Sequence, residues 1–130
     1  MNVHVTVVLL CAVGLYASAF MWLKARRDSR GQLAEPSVVQ SGRARTFGGT
    51  PNAAIGFAYY AALAIATFLF AVPAIWWLAL TAAAGAAAFS VYLAYSLLFV
   101  TRMPCVYCWA SHAVNWALLA LVLYARPATA

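Results

Sequence analysis

The chain has 130 residues, of which 67% are hydrophobic and only 8% are charged, and its formal net charge is +6. Soluble domains contain about 25% charged residues, and a soluble fold of this length could not bury so many apolar side chains. The composition therefore excludes an ordinary soluble domain and predicts an integral membrane protein surrounded by a lipid bilayer.

Four apolar segments predict an all-α membrane domain, a bundle of four transmembrane helices. A membrane-spanning helix needs roughly 20 apolar residues. The expected spans are residues 3–23, 52–72, 74–100 and 105–125. The first segment lacks the basic region of a signal peptide and its apolar run is too long for one, so we expect it to remain as a span. Pro73 leaves almost no loop between the second and third spans, which predicts a tight antiparallel hairpin.

The hydrophilic segment 24–51 is expected to be a loop on the same side of the membrane as the start of the fourth span. It contains six basic and two acidic residues. The basic side chains suit either lipid phosphates or a cap over a site at the helix ends. They lack interleaved aromatic residues, so we expect no nucleic-acid partner. Their number would ordinarily place this loop in the cytoplasm.

Cys105 and Cys108, with two residues between them, begin the fourth span. This spacing is typical of a redox pair or of half a metal site. A helix N-terminus and the nearby Arg102 favour a thiolate. Structural zinc sites usually need four ligands, and the chain has no second cysteine pair. The pattern therefore favours thiol chemistry without a metal, with electron exchange between thiols and a lipid-soluble quinone as the leading reaction.

A polar stripe continues from these cysteines into the membrane. Cys105, Cys108, His112 and Asn115 are three or four residues apart, so they share one face of a helix. They cover about 15 Å, half the thickness of the hydrocarbon core. Polar groups at that depth must face protein or a polar ligand. His112 and Asn115 are therefore candidates for a site, although hydrogen bonding between helices would also explain them.

A second polar pattern lies at the start of the second span. Asn52, Gly56 and Tyr60 follow one another at intervals of four residues and share a helix face. Asn52 could cap the helix or donate a hydrogen bond to a carbonyl oxygen, such as that of a quinone. Gly56 permits close approach of another helix or of a flat ring. Tyr60 could stack, donate a hydrogen bond, or simply fill space.

Taken together, these motifs resemble the vitamin K epoxide reductase family. The most specific part is SVYLAY at 90–95 and LFV at 98–100, followed by the cysteine pair and residues 112–115, with the Asn52, Gly56 and Tyr60 pattern as a second anchor. The resemblance implies a four-helix bundle around a quinone of the menaquinone, ubiquinone or phylloquinone type. It also implies a thiol:quinone oxidoreductase of the cell inner membrane, with its cysteines at the periplasmic end.

The resemblance also implies roles for individual residues. Cys108 would exchange electrons with the quinone, and Cys105 would exchange with an incoming thiol protein, expected to be a periplasmic thioredoxin-fold protein. Asn52 would bond one quinone carbonyl. His112 stands where many members have a tyrosine that contacts the other quinone oxygen.

The chain departs from the family pattern in its first loop. Family members usually carry two shuttle cysteines there, but no cysteine lies between Leu23 and Asn52. We therefore expect a short form with neither a loop relay nor a fused thioredoxin-like domain. The alternatives are a non-catalytic membrane subunit and a metal-handling membrane protein that uses Cys105, Cys108 and His112.

Overall fold

The computed structural model describes residues 2–32, 45–46, 50–103 and 105–128. Helices dominate this part of the chain, as the composition predicts. The elements are α1 (Val3–Ser29), β1 (Arg45–Thr46), β2 (Thr50–Pro51), α2 (Asn52–Thr67), α3 (Pro73–Ser96) and α4 (Val106–Tyr124). A π-helical segment, Leu97–Thr101, continues α3. The two short strands, which the sequence did not predict, pair antiparallel, with Thr46 opposite Thr50.

The four helices form a membrane helical bundle, which confirms the predicted fold class. Three of the described helices are long and apolar enough to cross a bilayer: α1, α3 with its π-helical continuation, and α4. With 16 residues, α2 is about 24 Å long, shorter than a hydrocarbon core of roughly 30 Å. Large apolar side chains point outward from every helix, among them Leu9, Ile65, Leu78 and Leu123. A surface of this kind suits contact with lipid.

Helix α1 continues beyond the predicted end of the first span, at residue 23, and ends at Ser29. The apolar run stops at Leu23, but the next residues are Lys, Ala and Arg, all good helix formers. Arg26 and Arg27 lie in the last turn, where positive charge interacts favourably with the helix dipole. The first part of the expected loop is therefore helical.

Helix α2 ends earlier than its apolar run. Its last residue is Thr67, whereas the predicted span reaches residue 72. The amides of Phe68 and Leu69 bond to carbonyls three residues back, at 3.2 and 2.8 Å, which tightens the chain into a turn. Val72 is extended before Pro73, the first residue of α3, because a residue that precedes proline disfavours the helical conformation.

The buried core lies where α1 packs against α2 and α4, and where α3 packs against α4. Val7, Cys11, Trp76 and Leu118 are among its most buried members. The indole nitrogen of Trp76 donates a 2.9 Å hydrogen bond to the carbonyl of Val122, which links α3 to the last turns of α4. Together these contacts close the end of the bundle opposite the cysteines.

Gly14 allows α1 to approach α2 closely. A Cβ atom at this position would lie 2.6 Å from the ring of Tyr60. That ring has only 1% of its surface exposed, and its hydroxyl is hydrogen-bonded to α4, so it has little room to move. Gly85, in α3, is exposed, and no atom lies within 4 Å of the corresponding Cβ position.

We expect Gly14→Ala to destabilise the protein by about 1–3 kcal/mol, because an added methyl group would overpack this contact. Gly85→Ala is the matched control, and it should be neutral or slightly stabilising because alanine favours a helix. Thermal unfolding of the detergent-solubilised variants measures both effects. Equal unfolding temperatures for the two variants would contradict the packing argument.

Candidate functional site

A cavity of about 200 Å³ lies between the helices, and all four contribute to its wall. Apolar side chains such as Met21, Phe89 and Leu93 form much of the lining. The polar lining residues are Ser18, Asn52, Tyr59, Tyr60, Ser90, Ser96, Thr101, Tyr107, Cys108, Ser111, His112 and Asn115. Small-molecule pockets typically measure roughly 300–1,000 Å³, so this cavity suits a small ring system rather than a large ligand.

The structure brings six of the seven predicted site residues to this cavity. They are Asn52, Gly56, Tyr60, Cys108, His112 and Asn115. Cys105 is not part of the wall, although it is bonded to Cys108. The two polar stripes inferred from helical spacing therefore face a common space, one from α2 and the other from α4.

The cysteine pair is joined by a disulfide bond, and its Cα atoms are 5.2 Å apart. Cys105 occupies the N-cap position of α4, where its sulfur accepts a 3.2 Å hydrogen bond from the amide of Cys108. Cys105 is the more buried of the two, with 9% of its surface exposed, whereas Cys108 is half-buried and lines the cavity. Cys105 therefore lies at the helix end outside the cavity wall, and Cys108 is the cysteine that borders the cavity.

Tyr107, between the two cysteines, attaches the start of α4 to α1. Its ring stacks on Phe20 with ring centroids 4.1 Å apart, and Tyr16 lies 6.3 Å away. Such aromatic pairs contribute about 0.5–1.5 kcal/mol beyond the area that they bury. The contact holds the turn that contains the cysteine pair against α1.

A chain of hydrogen bonds crosses the bundle beside the cavity. The Tyr60 hydroxyl donates to Asn115 Oδ1 at 2.6 Å and approaches the Ser111 carbonyl at 3.3 Å. Asn115 Nδ2 donates to Ser90 Oγ at 2.6 Å. Tyr60 and Asn115 therefore join helices as well as lining the cavity, and the hydroxyl hydrogen of Tyr60 is already used. The sequence pattern did not predict that Ser90 accepts this hydrogen bond, although Ser90 lies in the motif at 90–95.

His112 is buried against α4's own aromatic residues and lines the cavity. It has 5% of its surface exposed, and its ring lies 5.9 Å from that of Trp109 and 6.3 Å from that of Trp116. Among the described residues, no hydrogen-bond partner faces its Nδ1 atom. A buried polar atom without a partner costs about 1–3 kcal/mol. The cavity therefore suits a ligand that offers a complementary group at this position.

Asn52 and Gly56 occupy the α2 side of the cavity. Helix α2 begins at Asn52, and Pro51 takes the N-cap position, so of the two alternatives for Asn52 the structure favours a place at the cavity wall over capping. A Cβ atom on Gly56 would lie 3.0 Å from Ser18 Oγ. Gly56 thus permits close approach of α1, one of the two alternatives that its spacing suggested.

Tyr59 is a cavity residue that the sequence reasoning missed. Tyr59 borders the cavity, and within the described parts of the chain its buried hydroxyl has no hydrogen-bond partner. The signal was present, because Tyr59 follows Asn52 by seven residues, two helical turns, and so lies on the same strip of α2.

Metal binding has no geometric support in the described ranges. Within them, no three His, Cys, Asp or Glu side chains are grouped so that they could hold a metal ion. Cys105, Cys108 and His112 therefore do not form such a group.

Comparison with curated proteins gives no match. Comparison with protein families gives a match to the vitamin K epoxide reductase family over residues 5–123. The matched range extends from the first turn of α1 to the last turn of α4. It includes the cysteine pair and every residue of the cavity wall named above. The chain therefore belongs to the vitamin K epoxide reductase family.

Proposed function

We propose that this protein is a thiol:quinone oxidoreductase that moves electrons from protein thiols, through Cys105 and Cys108, to a membrane quinone. Membership of the family supports an oxidoreductase. The observation that carries the proposal is the position of Cys108, which is disulfide-bonded and lines a largely apolar cavity inside a membrane bundle. A soluble substrate would not need a redox sulfur in this position.

The residues of the cavity fit a quinone head group. Its wall is mostly apolar, which suits a ring, and it carries polar side chains that can donate hydrogen bonds to ring oxygens. Asn52 offers an amide, and His112 offers an imidazole whose Nδ1 has no hydrogen-bond partner among the described residues. A volume of about 200 Å³ leaves space for the ring, while an isoprenoid tail would extend into lipid.

The thiol half-reaction begins at Cys105. A thiolate of the partner attacks Cys105 Sγ, the Cys105–Cys108 bond breaks, and Cys108 leaves as a thiolate. The partner's second thiol then attacks the mixed disulfide and releases Cys105. The partner ends as a disulfide, and both cysteines of this chain are reduced. The amide of Cys108, 3.2 Å from Cys105 Sγ, can stabilise negative charge on that sulfur.

The second half-reaction takes place at the cavity. A bound quinone accepts two electrons and two protons and becomes a hydroquinone. Cys108, which lines the cavity, is the cysteine nearer the ring; the thiols of Cys105 and Cys108 would supply these two electrons and two protons as the bond between their sulfurs re-forms. Asn52 and His112 hold the two ring oxygens, and electron flow from dithiols to a quinone of higher potential is favourable.

The partner must meet the cysteine pair directly. No cysteine lies between Leu23 and Asn52, so a relay through this loop is impossible. Cys105 has only 9% of its surface exposed, so the chain around Cys105 must move when a partner docks. We propose a thioredoxin-fold thiol protein as the partner, since such proteins present an exposed cysteine on a small surface.

We propose that the cysteine end of the bundle faces the periplasm across the cell inner membrane. Disulfide chemistry belongs to oxidising compartments, and this consideration outweighs the basic residues of the 24–51 segment. Basic loops usually lie on the cytoplasmic side of a membrane, which is the opposite of the proposed orientation. The orientation therefore needs a direct test.

Cys108→Ala and Cys105→Ala should each abolish quinol formation, because either change removes the disulfide that carries two electrons. Cys11→Ala is the matched control: Cys11 is a free, fully buried core cysteine, so this variant should lose stability but retain turnover. The measurement follows quinol formation from a short-chain quinone and a reduced dithiol. Normal turnover by Cys108→Ala would overturn the proposal and leave a non-catalytic membrane subunit, whereas stoichiometric zinc without turnover would favour metal handling.

Asn52→Ala should raise the KM for the quinone about 2- to 13-fold with a smaller effect on the thiol donor, since one hydrogen bond contributes roughly 0.5–1.5 kcal/mol. Asn2→Ala is a control at the other end of the bundle, where Asn2 accepts a 2.9 Å hydrogen bond from the amide of His4. Steady-state kinetics with varied quinone separates the two variants. An unchanged KM for Asn52→Ala would remove Asn52 from the quinone site.

The orientation can be tested with a reporter enzyme that is active only in the periplasm. Fused within the 24–51 segment it should be active, and fused after Ala130 it should be inactive. A signal from the Ala130 fusion alone would reverse the proposed orientation.

A further inference from the structure

We propose that Tyr59 is a ligand-binding residue whose hydroxyl donates a third hydrogen bond to an oxygen of the bound quinone ring. This inference rests on the proposed function, because it assumes that the cavity takes a quinone. It adds a donor that neither the residue spacing nor the family pattern quoted above assigned, beside Asn52 and His112.

The unpaired hydroxyl of Tyr59 is the first observation. The oxygen is shielded from solvent, and in the parts of the chain that the structure describes it meets no hydrogen-bond partner. The hydroxyl of its neighbour Tyr60, by contrast, is hydrogen-bonded, since it donates to Asn115 at 2.6 Å. An unpaired hydroxyl inside a membrane bundle costs free energy. A bound ligand with an acceptor oxygen removes that cost.

The location of the side chain is the second observation. Tyr59 lines the same cavity as Asn52, Cys108 and His112. On α2 it lies two turns beyond Asn52, about 10.5 Å along the helix axis and on the same strip. Asn52 and Tyr59 thus border the cavity at two levels of one helix, so a ring bound between these levels would lie within reach of both side chains.

The packing of the ring is the third observation. Tyr59 lies against Tyr60, with ring centroids 5.1 Å apart, and packs against the buried core. Since Tyr60 is fixed by its hydrogen bonds to α4, its ring provides a firm wall behind Tyr59. A side chain held in this way can present its hydroxyl in a defined position, which is what a ligand-binding donor requires.

The ring oxygen can be a carbonyl or a methoxy oxygen, and both act as acceptors. Menaquinone-type rings carry only carbonyl oxygens, whereas ubiquinone-type rings carry methoxy oxygens as well. The two ring types therefore serve as the two arms of one experiment, which identifies the oxygen while it tests the hydrogen bond.

The test uses Tyr59→Phe, which removes only the hydroxyl, and Tyr124→Phe, a matched control on a residue that is 80% exposed at the far end of α4. Affinity for a short-chain ubiquinone and a short-chain menaquinone is measured by quenching of tryptophan fluorescence, since Trp109 and Trp116 flank His112. The protein is kept in its disulfide form without a thiol donor, so binding is measured without turnover.

Tyr59→Phe should weaken binding about 2- to 13-fold, and Tyr124→Phe should not change it. Loss with both quinones assigns the bond to a carbonyl oxygen, and loss with the ubiquinone alone assigns it to a methoxy oxygen. Either result supports the inference. Unchanged affinity for both quinones overturns it, as does a wild-type protein that binds neither.

Thermal unfolding is the second readout. Without a quinone, Tyr59→Phe should be at least as stable as the wild type, because it loses an unpaired hydroxyl. With saturating quinone, its unfolding temperature should rise less than that of the wild type. A destabilised quinone-free variant with unchanged affinity would mean that the hydroxyl is structural, which overturns the inference.

These measurements also separate the inference from the proposed function. Binding that depends on Tyr59, without any thiol-driven quinol formation, would support the inference while the oxidoreductase proposal fails. If Tyr59→Phe binds the quinone with unchanged affinity while thiol-driven turnover is intact, the oxidoreductase proposal stands and the inference fails.

Discussion

The hydrogen bonds from Tyr60 to Asn115 and from Asn115 to Ser90 hold α2, α3 and α4 together at one level of the bundle. Between apolar helices in lipid there is little hydrophobic driving force, so association depends on close packing and on polar contacts such as these. Gly14 adds α1 to the assembly by letting it pack against the ring of Tyr60. Tyr60 therefore links α2 directly to α1 and α4, and through Asn115 to α3.

This arrangement divides the polar side chains of the interior into two groups. Those of Tyr60, Asn115 and Ser90 bond to one another and determine how far apart the helices stand. Tyr59 and His112 have buried polar atoms without partners among the described residues, and both line the cavity beside Cys108. The first group keeps the helices apart at the cavity, and the second offers polar atoms that favour a ligand with hydrogen-bonding oxygens. A purely apolar bundle would have neither a defined cavity nor a reason to bind an oxygen-bearing ring.

The sequence was sufficient for the fold class because apolar runs report directly on which segments avoid water. It was less informative about where helices end. The helix of α1 continues to Ser29 because Lys, Ala and Arg favour helix as strongly as apolar residues do, while α2 stops at Thr67 inside an apolar run. Helical spacing put Cys108 and His112 on one face of α4, and both residues line the cavity. It could not reveal that Tyr60 bonds to Asn115, since that contact joins residues 55 positions apart.

The disulfide restrains a short stretch of chain, whereas the other contacts described above join different helices. It links residues only three positions apart, and a cross-link that closes so short a loop removes less conformational entropy from the unfolded chain than one that closes a long loop. The helices are also held together by the hydrogen bonds of Tyr60 and Trp76 and by the stacked pair of Phe20 and Tyr107. Breaking the bond between the two sulfurs would therefore release a constraint on one short turn at the start of α4, and not on the packing of the helices.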